Sequence, residues 1–141
     1  VALENLGLAA QAAGRIGATV LVEPVSGPKP YPLRSANDAT AVVRAVREAG
    51  HANVGFLCDL FHLANNGDDP QAAVAQHGDL IAHVQVADWP GRGEPGSAEL
   101  DLDGLLTQIA ATGYDGFVGL EYKPTTTTSE SLAWLPISRR A

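Results

Sequence analysis

The sequence predicts an α/β fold built on a parallel sheet. Four short segments are almost continuously apolar, as strands covered on both faces of a parallel sheet are. Helical segments separate them, and this alternation is typical of α/β proteins. The chain has 141 residues, of which 45% are hydrophobic and 18% are charged. This length and composition allow a buried core and exclude the disordered class of protein.

The predicted helices are recognised by apolar residues at helical spacing and by capping residues. Leu3, Leu6 and Ala10 fall at the spacing of one helix face in the first of them. Ser35 and Asp38 have the spacing of a capping box at the start of the second. An Asp-Pro pair opens the third. The helices are predicted, in chain order, over residues 1–15, 35–49, 69–77, 101–111 and 129–134.

The predicted strands are the apolar, β-branched segments between these helices. Pro24 ends the first strand, and the third leads into a loop over residues 89–99 whose glycines and prolines exclude regular structure. The strands are predicted over residues 18–25, 54–59, 80–87 and 116–122. The sequence has no Gly-x-Gly-x-x-Gly turn and no Walker-type phosphate loop, so a nucleotide-binding fold has no support.

Charge, hydropathy and cysteine content restrict the possible partners. Nine Lys and Arg residues against 16 Asp and Glu residues give a net charge of −7, which argues against nucleic acid as a partner. No apolar run approaches the ~18–20 residues that span a membrane, so we expect no membrane partner. The lone cysteine, Cys58, excludes a disulfide framework and indicates a reducing compartment. A cytoplasmic location is therefore expected.

Each predicted strand carries an oxygen-bearing side chain at or near its end. These residues are Glu23, Asp59, Gln85 and Glu121. Because the carboxyl ends of parallel strands gather on one face, the four side chains are expected to converge there. Three carboxylates repel one another unless a cation lies among them or some are protonated, and oxygen ligands favour Mg²⁺ or Mn²⁺. The alternative is that each acid caps a helix or is solvated in a loop.

Two histidines and the cysteine lie close to these strand ends. His62 follows Asp59 by three residues and is either a substrate contact or a structural histidine. His83 precedes Gln85 by two residues, so both are on the same face of the strand. It is either an interior residue or a partner of a metal ligand. Cys58 has no base beside it, and we interpret it as a core residue rather than a nucleophile.

Two cationic residues are candidates for binding an acidic substrate. Arg92 lies in the loop after the third strand, and Lys123 follows Glu121 by two residues. A guanidinium in that loop is able to hold a carboxylate through two parallel hydrogen bonds. For both residues the alternative is a solvated side chain.

Five stretches of the sequence resemble the hydroxypyruvate isomerase family: LVEP, CDLFH, HVQVAD, PGRGEPG and GLEYKPTTTT, in that order. The similarity runs from about residue 2 to residue 135. It implies the TIM (β/α)₈ barrel of the xylose isomerase-like group of sugar-phosphate isomerases and epimerases. A glutamine as third ligand, where many relatives have histidine, favours hydroxypyruvate isomerase over the ketose epimerases. The departures are small: CDLFH has Cys and Phe where the family usually has tyrosines, and PGSAEL replaces a PGTGEI-like segment.

The resemblance also implies a role for each candidate residue. The family's metal ligands fall on Glu23, Asp59, Gln85 and Glu121. Glu23 and Glu121 match the pair that accepts and donates protons, and His62 matches a histidine that contacts the substrate. Arg92, Lys123 or His62 would bind the substrate carboxylate. Mg²⁺ is the expected ion, with Mn²⁺ as the alternative.

The activity implied is the isomerisation of a small keto acid, hydroxypyruvate, to tartronate semialdehyde through an enediolate. A metal would stabilise the developing charge, while the two glutamates would move a proton between neighbouring carbons. Two alternatives stay open: an isomerase or epimerase of a longer ketose, and a truncated remnant without catalysis. A metal-dependent DNA repair enzyme would call for several histidine ligands and basic loops that face DNA. This chain has four histidines, a net charge of −7 and one basic residue in the loop after the third strand, which argues against that class.

The chain is short for this family, whose barrel has eight strand–helix units in about 250 residues. The four predicted units match the last four in order, so residues 1–141 are expected to be the C-terminal half of a barrel domain. The sequence starts in mid-pattern and has no methionine, which favours a truncated N-terminus. A half barrel has two unpaired sheet edges and an uncovered apolar face. We therefore expect instability or aggregation unless the chain pairs with another copy.

Overall fold

A computed structural model describes residues 1–27 and 30–139 of the chain. The strands are β1 (Val20–Val22), β2 (Val54–Asp59), β3 (Ile81–Val86) and β4 (Val118–Leu120). The helices are α1 (Ala2–Gly14), α2 (Ala36–Glu48), α3 (Leu60–Asn66), α4 (Pro70–His77), α5 (Leu102–Ala111) and α6 (Thr128–Ser131). Two short 3₁₀ turns, Gly78–Leu80 and Ile137–Arg139, complete the described elements.

The four strands form one parallel sheet in the order β1-β2-β3-β4. Each strand is followed by at least one helix before the next begins, which confirms the predicted α/β fold. In the hydrogen-bonded register Asp59 lies level with Gln85, and Gln85 lies level with Gly119. The carboxyl ends of all four strands therefore lie at one edge of the sheet.

One face of the sheet packs against helices. Val54, Phe56 and Cys58 alternate along β2 and are fully buried in a core to which α2 contributes Val43 and Val46. Among the described residues, every strand residue of that core belongs to this helix-covered face. The other face carries the polar side chains at the strand ends. It is the face that would line the inside of a barrel.

A β-bulge in β3 sets the face on which its polar residues lie. Phe56 pairs with Ile81 but Leu57 pairs with His83, so Ala82 is an extra residue in β3. Because side chains alternate along a strand, one extra residue exchanges the two faces beyond it. His83 and the residue two positions later, Gln85, are thereby brought to the face of Asp59. A side chain at Gly55 would collide with Ala82, so the bulge requires glycine there.

Local capping follows the sequence closely at several helix ends. The Ser35 hydroxyl accepts the N–H of Asp38, and the Asp38 carboxylate accepts the N–H of Ser35, which confirms the predicted capping box. Asp69 caps α4 with Pro70 at its first position, as predicted. The last helix is shorter than predicted, Thr128–Ser131 against 129–134, and its own capping box joins Thr127 to Glu130.

The two outer strands are shorter than predicted. β1 and β4 have three residues each, against predictions over 18–25 and 116–122. Within the described sheet each has one neighbour and pairs with only three of that neighbour's six residues. Leu21, Val118 and Leu120 are 38–40% exposed, whereas Val54, Phe56 and Cys58 of β2 are buried. The outer strands are therefore the incompletely covered part of the sheet.

Helix α3 was not predicted from the sequence. The Asp59 carboxylate caps it by accepting the N–H of His62, with an N···O distance of 3.0 Å. Gly67 ends it in the left-handed region, with φ of 82°. An Asp before the segment and a Gly after it are ordinary helix signals. Helix capping was named as the alternative role of each strand-end acid, and Asp59 caps a helix while it also lies in the site.

None of the described helices is long and apolar enough to cross a membrane. The cytoplasmic location expected from the lone cysteine stays a prediction.

Candidate active site

Four side chains meet at the carboxyl edge of the sheet. Glu23 follows β1, Asp59 ends β2, His62 lies in the first turn of α3 and Glu121 follows β4. Each offers one oxygen or nitrogen atom, and these atoms all lie within 4.8 Å of one another. Parallel pairing explains the convergence, because it brings the ends of strands that are far apart in sequence to one edge. The site thus contains three carboxylates and one imidazole.

Gln85 belongs to the same edge through its register. It lies between Asp59 on β2 and Gly119 on β4, on the face of the sheet that carries the carboxylates. Its side chain is half-buried, and no hydrogen bond joins it to another described residue. A free amide oxygen at this position fits a ligand role. That role stays a prediction.

Burial, together with the crowding of the carboxylates, raises two pKa values in the site. Asp59 is 1% exposed. Burial raises its pKa to about 7, with help from a hydrogen-bonding contact to Glu121 and the charge of Glu23, against the stabilising N–H of His62. Burial and the charge of Glu121 also raise the pKa of Glu23, and Arg92 partly offsets that rise. A cation among the three oxygen-bearing groups would remove this repulsion. The donor set therefore fits a hard divalent ion such as Mg²⁺ or Mn²⁺.

The surroundings of His62 favour its neutral form. It is 6% exposed, and burial together with the charge of Arg92 lowers its pKa, while Glu121 acts in the opposite direction. Its Nε2 lies 3.9 Å from Oδ2 of Asp59. A neutral imidazole is a hydrogen-bond donor or acceptor rather than a charged partner. Of the three candidates for binding a substrate carboxylate, His62 is thus poorly suited to supply a positive charge.

Arg92 is positioned directly against Glu121. Its Nε donates to the backbone oxygen of Glu121 at 3.0 Å, and its Nη2 lies 3.1 Å from Oε1 of the same residue. The guanidinium also covers the ring of Phe61 at 5.1 Å from the centroid. Arg92 has a positive φ of 62°, a conformation that non-glycine residues rarely adopt. Of the two cationic candidates, the structure brings this one to the site.

Lys123 and His83 are less closely involved. The Lys123 N–H donates to the backbone oxygen of Arg92 at 2.7 Å, but its side chain is exposed and forms no hydrogen bond or ion pair with another described residue. His83 is half-buried on the site face of β3, one side-chain layer away from Gln85. The predicted substrate role of Lys123 stays a prediction.

Asp88 organises the loop that carries Arg92. Its carboxylate is fully buried and accepts four backbone N–H groups, those of Trp89, Gly96, Ala98 and Leu100, at 2.8–3.0 Å. One buried side chain thus replaces the regular backbone hydrogen bonds that this loop lacks. The sequence interpretation missed this residue, although an acid followed by a loop rich in glycine and proline is a recognisable signal for such bonding.

Glu94 is a second anchor of the same loop. It is buried, and its Oε1 accepts the N–H of Thr125 at 2.7 Å and the Thr125 hydroxyl at 3.1 Å. These bonds connect the loop after β3 to the segment after β4, and the N–H of Thr125 lowers the pKa of Glu94. The pairing spans 31 residues, and no local sequence pattern predicts it.

Replacing Asp88 by asparagine is expected to destabilise the chain by roughly 2–4 kcal/mol. One carboxylate oxygen becomes an NH₂ group, which faces N–H donors and leaves them without an acceptor. Urea denaturation measures the loss, and hydrogen exchange at Gly96 and Ala98 locates it. Asp103→Asn, on the exposed side of α5, is the matched control. Equal stability of the two variants would contradict the anchoring role of Asp88.

Cys58 is an inert core residue, as the sequence indicated. It is fully buried, and burial with the charges of Asp59 and Asp68 raises the pKa of its thiol to about 12. We expect no reaction with a thiol reagent at pH 8 in the native chain and one equivalent after unfolding in guanidinium. Rapid labelling of the native chain would contradict this burial.

Comparison with known proteins shows the family to which this fold belongs. The xylose isomerase-like TIM barrel model matches residues 1–137, nearly the whole chain. The chain belongs to this family. Its four parallel strands and their helices are one half of the barrel, since the relatives described next are about twice as long.

Three relatives carry names of isomerases. The chain is 52% identical to a putative hydroxypyruvate isomerase of Streptomyces coelicolor, which it matches over all of its own length and 52% of the relative's. It is 32% identical to the hydroxypyruvate isomerase of Escherichia coli and 36% identical to the 2-oxo-tetronate isomerase of Cupriavidus necator. Each of these matches covers 94% of the chain and 51% of the relative.

A solved structure shows the same architecture. A Brucella melitensis protein described as an AP endonuclease of family 2 superposes with a TM-score of 0.85 at 33% identity, over 94% of the chain and 51% of the solved chain. The chain thus spans about half the length of the proteins it matches.

Proposed function

We propose that this chain supplies the metal ligands and the proton-transfer pair of an isomerase that interconverts hydroxypyruvate and tartronate semialdehyde. The observation that carries the proposal is the meeting of Glu23 and Glu121, from the two outer strands, over the buried carboxyl of Asp59. The names of the relatives described above support the same reaction class. Glu23, Asp59, Gln85 and Glu121 are the proposed ligands.

The two glutamates are suited to move a proton between neighbouring carbons. One removes a proton from the hydroxymethyl carbon of hydroxypyruvate, which gives an enediolate, and the other delivers a proton to the adjacent carbon. The hydroxyl proton passes between the two oxygens, so the product is an isomer of the substrate. The raised pKa of Glu23 brings its proton affinity closer to what a general base or acid needs near neutral pH. A divalent metal, Mg²⁺ or Mn²⁺, would supply charge stabilisation for the enediolate oxygens.

Arg92 is the proposed partner of the substrate carboxylate. It already lies beside Glu121, and its guanidinium is held against Phe61. The planar group is able to offer two parallel N–H donors to a carboxylate. Neutral His62 would instead donate or accept a hydrogen bond at an uncharged oxygen, and exposed Lys123 would reach the substrate only by reorienting.

A substrate comparison tests the assignment. The purified chain is incubated with Mg²⁺ and either hydroxypyruvate or a free ketose such as fructose, and the products are identified by NMR. We expect turnover of hydroxypyruvate alone. Turnover of the ketose alone would replace the substrate assignment with that of a longer-chain isomerase or epimerase. Lack of turnover on every substrate would favour the catalytically inactive remnant.

The half barrel is proposed to be completed by further strands. The outer strands β1 and β4 each have one neighbour among the described residues, and apolar side chains on them are partly exposed. Four more strand–helix units, from a longer chain or from a second copy, would cover both edges. Sedimentation and thermal melts test this for the isolated chain. A monomer that unfolds cooperatively and stays in solution would contradict the need for such pairing.

A further inference from the structure

We infer that Ser26 is a positioning residue for His62. It holds the imidazole so that a protonated Nε2 faces the carboxylates, and His62 therefore donates a hydrogen bond in the site instead of binding the metal. This inference rests on the proposed function only for the identity of the group that accepts the hydrogen bond from Nε2. Which ring nitrogen carries the proton is independent of any catalytic activity.

Two donors of Ser26 meet one ring nitrogen of His62. The backbone N–H of Ser26 points at Nδ1 with an N···N distance of 3.1 Å, and the Ser26 hydroxyl oxygen lies 2.7 Å from the same atom. A backbone N–H can only donate, so Nδ1 must offer its lone pair. A neutral imidazole carries one proton, and that proton is therefore on Nε2.

The rest of the pocket fixes the ring in this orientation. His62 is 6% exposed, and its own N–H is bonded to Oδ1 of Asp59 in the cap of α3. The ring of Phe61 meets it edge-on, at 5.5 Å between centroids and 62° between planes. Nε2 then faces the carboxylate of Asp59 and lies 3.9 Å from its Oδ2. Backbone, cap and packing all constrain the same ring.

This arrangement disfavours His62 as a metal ligand, although its nitrogen lies among the carboxylates. Metal binding through Nε2 requires a lone pair there, which moves the ring proton to Nδ1. A protonated Nδ1 would face the N–H of Ser26, and one buried hydrogen bond would be replaced by the opposition of two donors. The amide oxygen of Gln85 faces no such conflict. An Nε2–H group instead suits an oxygen atom that gains negative charge during the reaction.

Nitrogen NMR of the histidine rings tests the inference directly. The chain contains four histidines, so ¹⁵N-histidine labelling gives few signals. The signals of His62 are those that are absent from the spectrum of His62→Gln. We expect an unprotonated Nδ1 that accepts a hydrogen bond and a protonated Nε2. The opposite tautomer would overturn the inference.

Variants of Ser26 separate positioning from a merely structural role. In Ser26→Ala the Nδ1 signal should move toward the value of an unbonded ring nitrogen, since one of two donors is lost. In Ser26→Thr, which keeps the hydroxyl, it should stay near the wild-type value. Ser129→Ala, an exposed serine on α6, is the control. An unchanged Nδ1 signal in Ser26→Ala would overturn the role of the hydroxyl.

Addition of Mg²⁺ separates this inference from the proposed function. If His62 is a donor, its Nε2 keeps its proton when the metal binds. Loss of that proton on metal addition would make His62 a ligand and overturn the inference, while leaving the isomerase proposal intact. Retention of the proton in a protein that turns over no substrate would contradict the isomerase proposal and support the positioning role of Ser26.

Discussion

Replacing Asp59 by asparagine is expected to stabilise the metal-free chain above pH 7 and to weaken its stabilisation by Mg²⁺. Burial and two neighbouring carboxylates raise the folded-state pKa of Asp59 to about 7, from an ordinary value of 3.8. Between these values the folded state binds more protons at this position than the unfolded state does. The free energy of unfolding of the wild-type chain therefore falls as the pH rises from about 4 through 7.

The expected difference reaches roughly 2–4 kcal/mol at pH 8.5, because a shift of about three pKa units corresponds to at most about 4 kcal/mol. Asparagine has no charge to lose, and its amide oxygen is still able to accept the N–H of His62 that caps α3. The variant should be close to wild type at about pH 3.5, where the wild-type carboxyl is mostly protonated in the folded and the unfolded state alike, and more stable at pH 8.5.

Urea denaturation at several pH values measures this difference, with Asp115→Asn, an exposed residue, as the control for removing one negative charge. Mg²⁺ should raise the melting temperature of wild type and of the control at constant ionic strength, because it binds the folded state alone. It should raise the melting temperature of Asp59→Asn less, because the amide keeps an oxygen for the ion but carries no charge. A variant that is less stable than wild type at pH 8.5 would refute the proposed carboxylate repulsion.

Replacing Glu121 by glutamine is expected to lower turnover of hydroxypyruvate at least about a hundredfold while leaving metal binding partly intact. The amide retains an oxygen for the metal and for Arg92, but it can neither accept nor donate the transferred proton. General acid–base catalysis is typically worth 10²–10⁴-fold. Glu23→Gln should behave in the same way, because the reaction needs both members of the pair.

Turnover and metal affinity are measured on the same preparations, by product NMR and by calorimetric titration. Glu48→Gln, an exposed residue at the end of α2, makes the same chemical change away from the site. It should retain full activity. Full activity in Glu121→Gln would refute the assignment of the proton-transfer pair.

The fold was largely predictable because its signals are local. The capping box at Ser35 and Asp38 fixed one helix start, and the continuous apolar run of β2 was predicted to its exact bounds. The outer strands were predicted too long, because their length depends on hydrogen-bonded partners rather than on their own composition. The bulge at Ala82 depends on the pairing of two strands and has no signature in either one.

Convergence of the carboxylates was predictable for a topological reason. Once the sheet is parallel, residues at strand ends share an edge, and Glu23, Asp59 and Glu121 lie within 4.8 Å of one another there, together with His62. The long-range partners could not be predicted. The bonds of Ser26 to His62 and of Glu94 to Thr125 join residues 36 and 31 positions apart, and they follow from the path of loops that carry no periodic pattern.

Solvent deuterium is the most direct probe of the central claim that two glutamates move a proton between carbons. Hydroxypyruvate is incubated in D₂O with the chain and Mg²⁺, and substrate and product are followed by NMR. Proton transfer through a carboxyl group that exchanges with solvent predicts deuterium at the carbon that receives the proton in tartronate semialdehyde. Glu23→Gln and Glu121→Gln should lose both turnover and this deuterium incorporation. Product that forms without deuterium at that carbon would contradict the account, because the hydrogen would then have moved directly between the carbons.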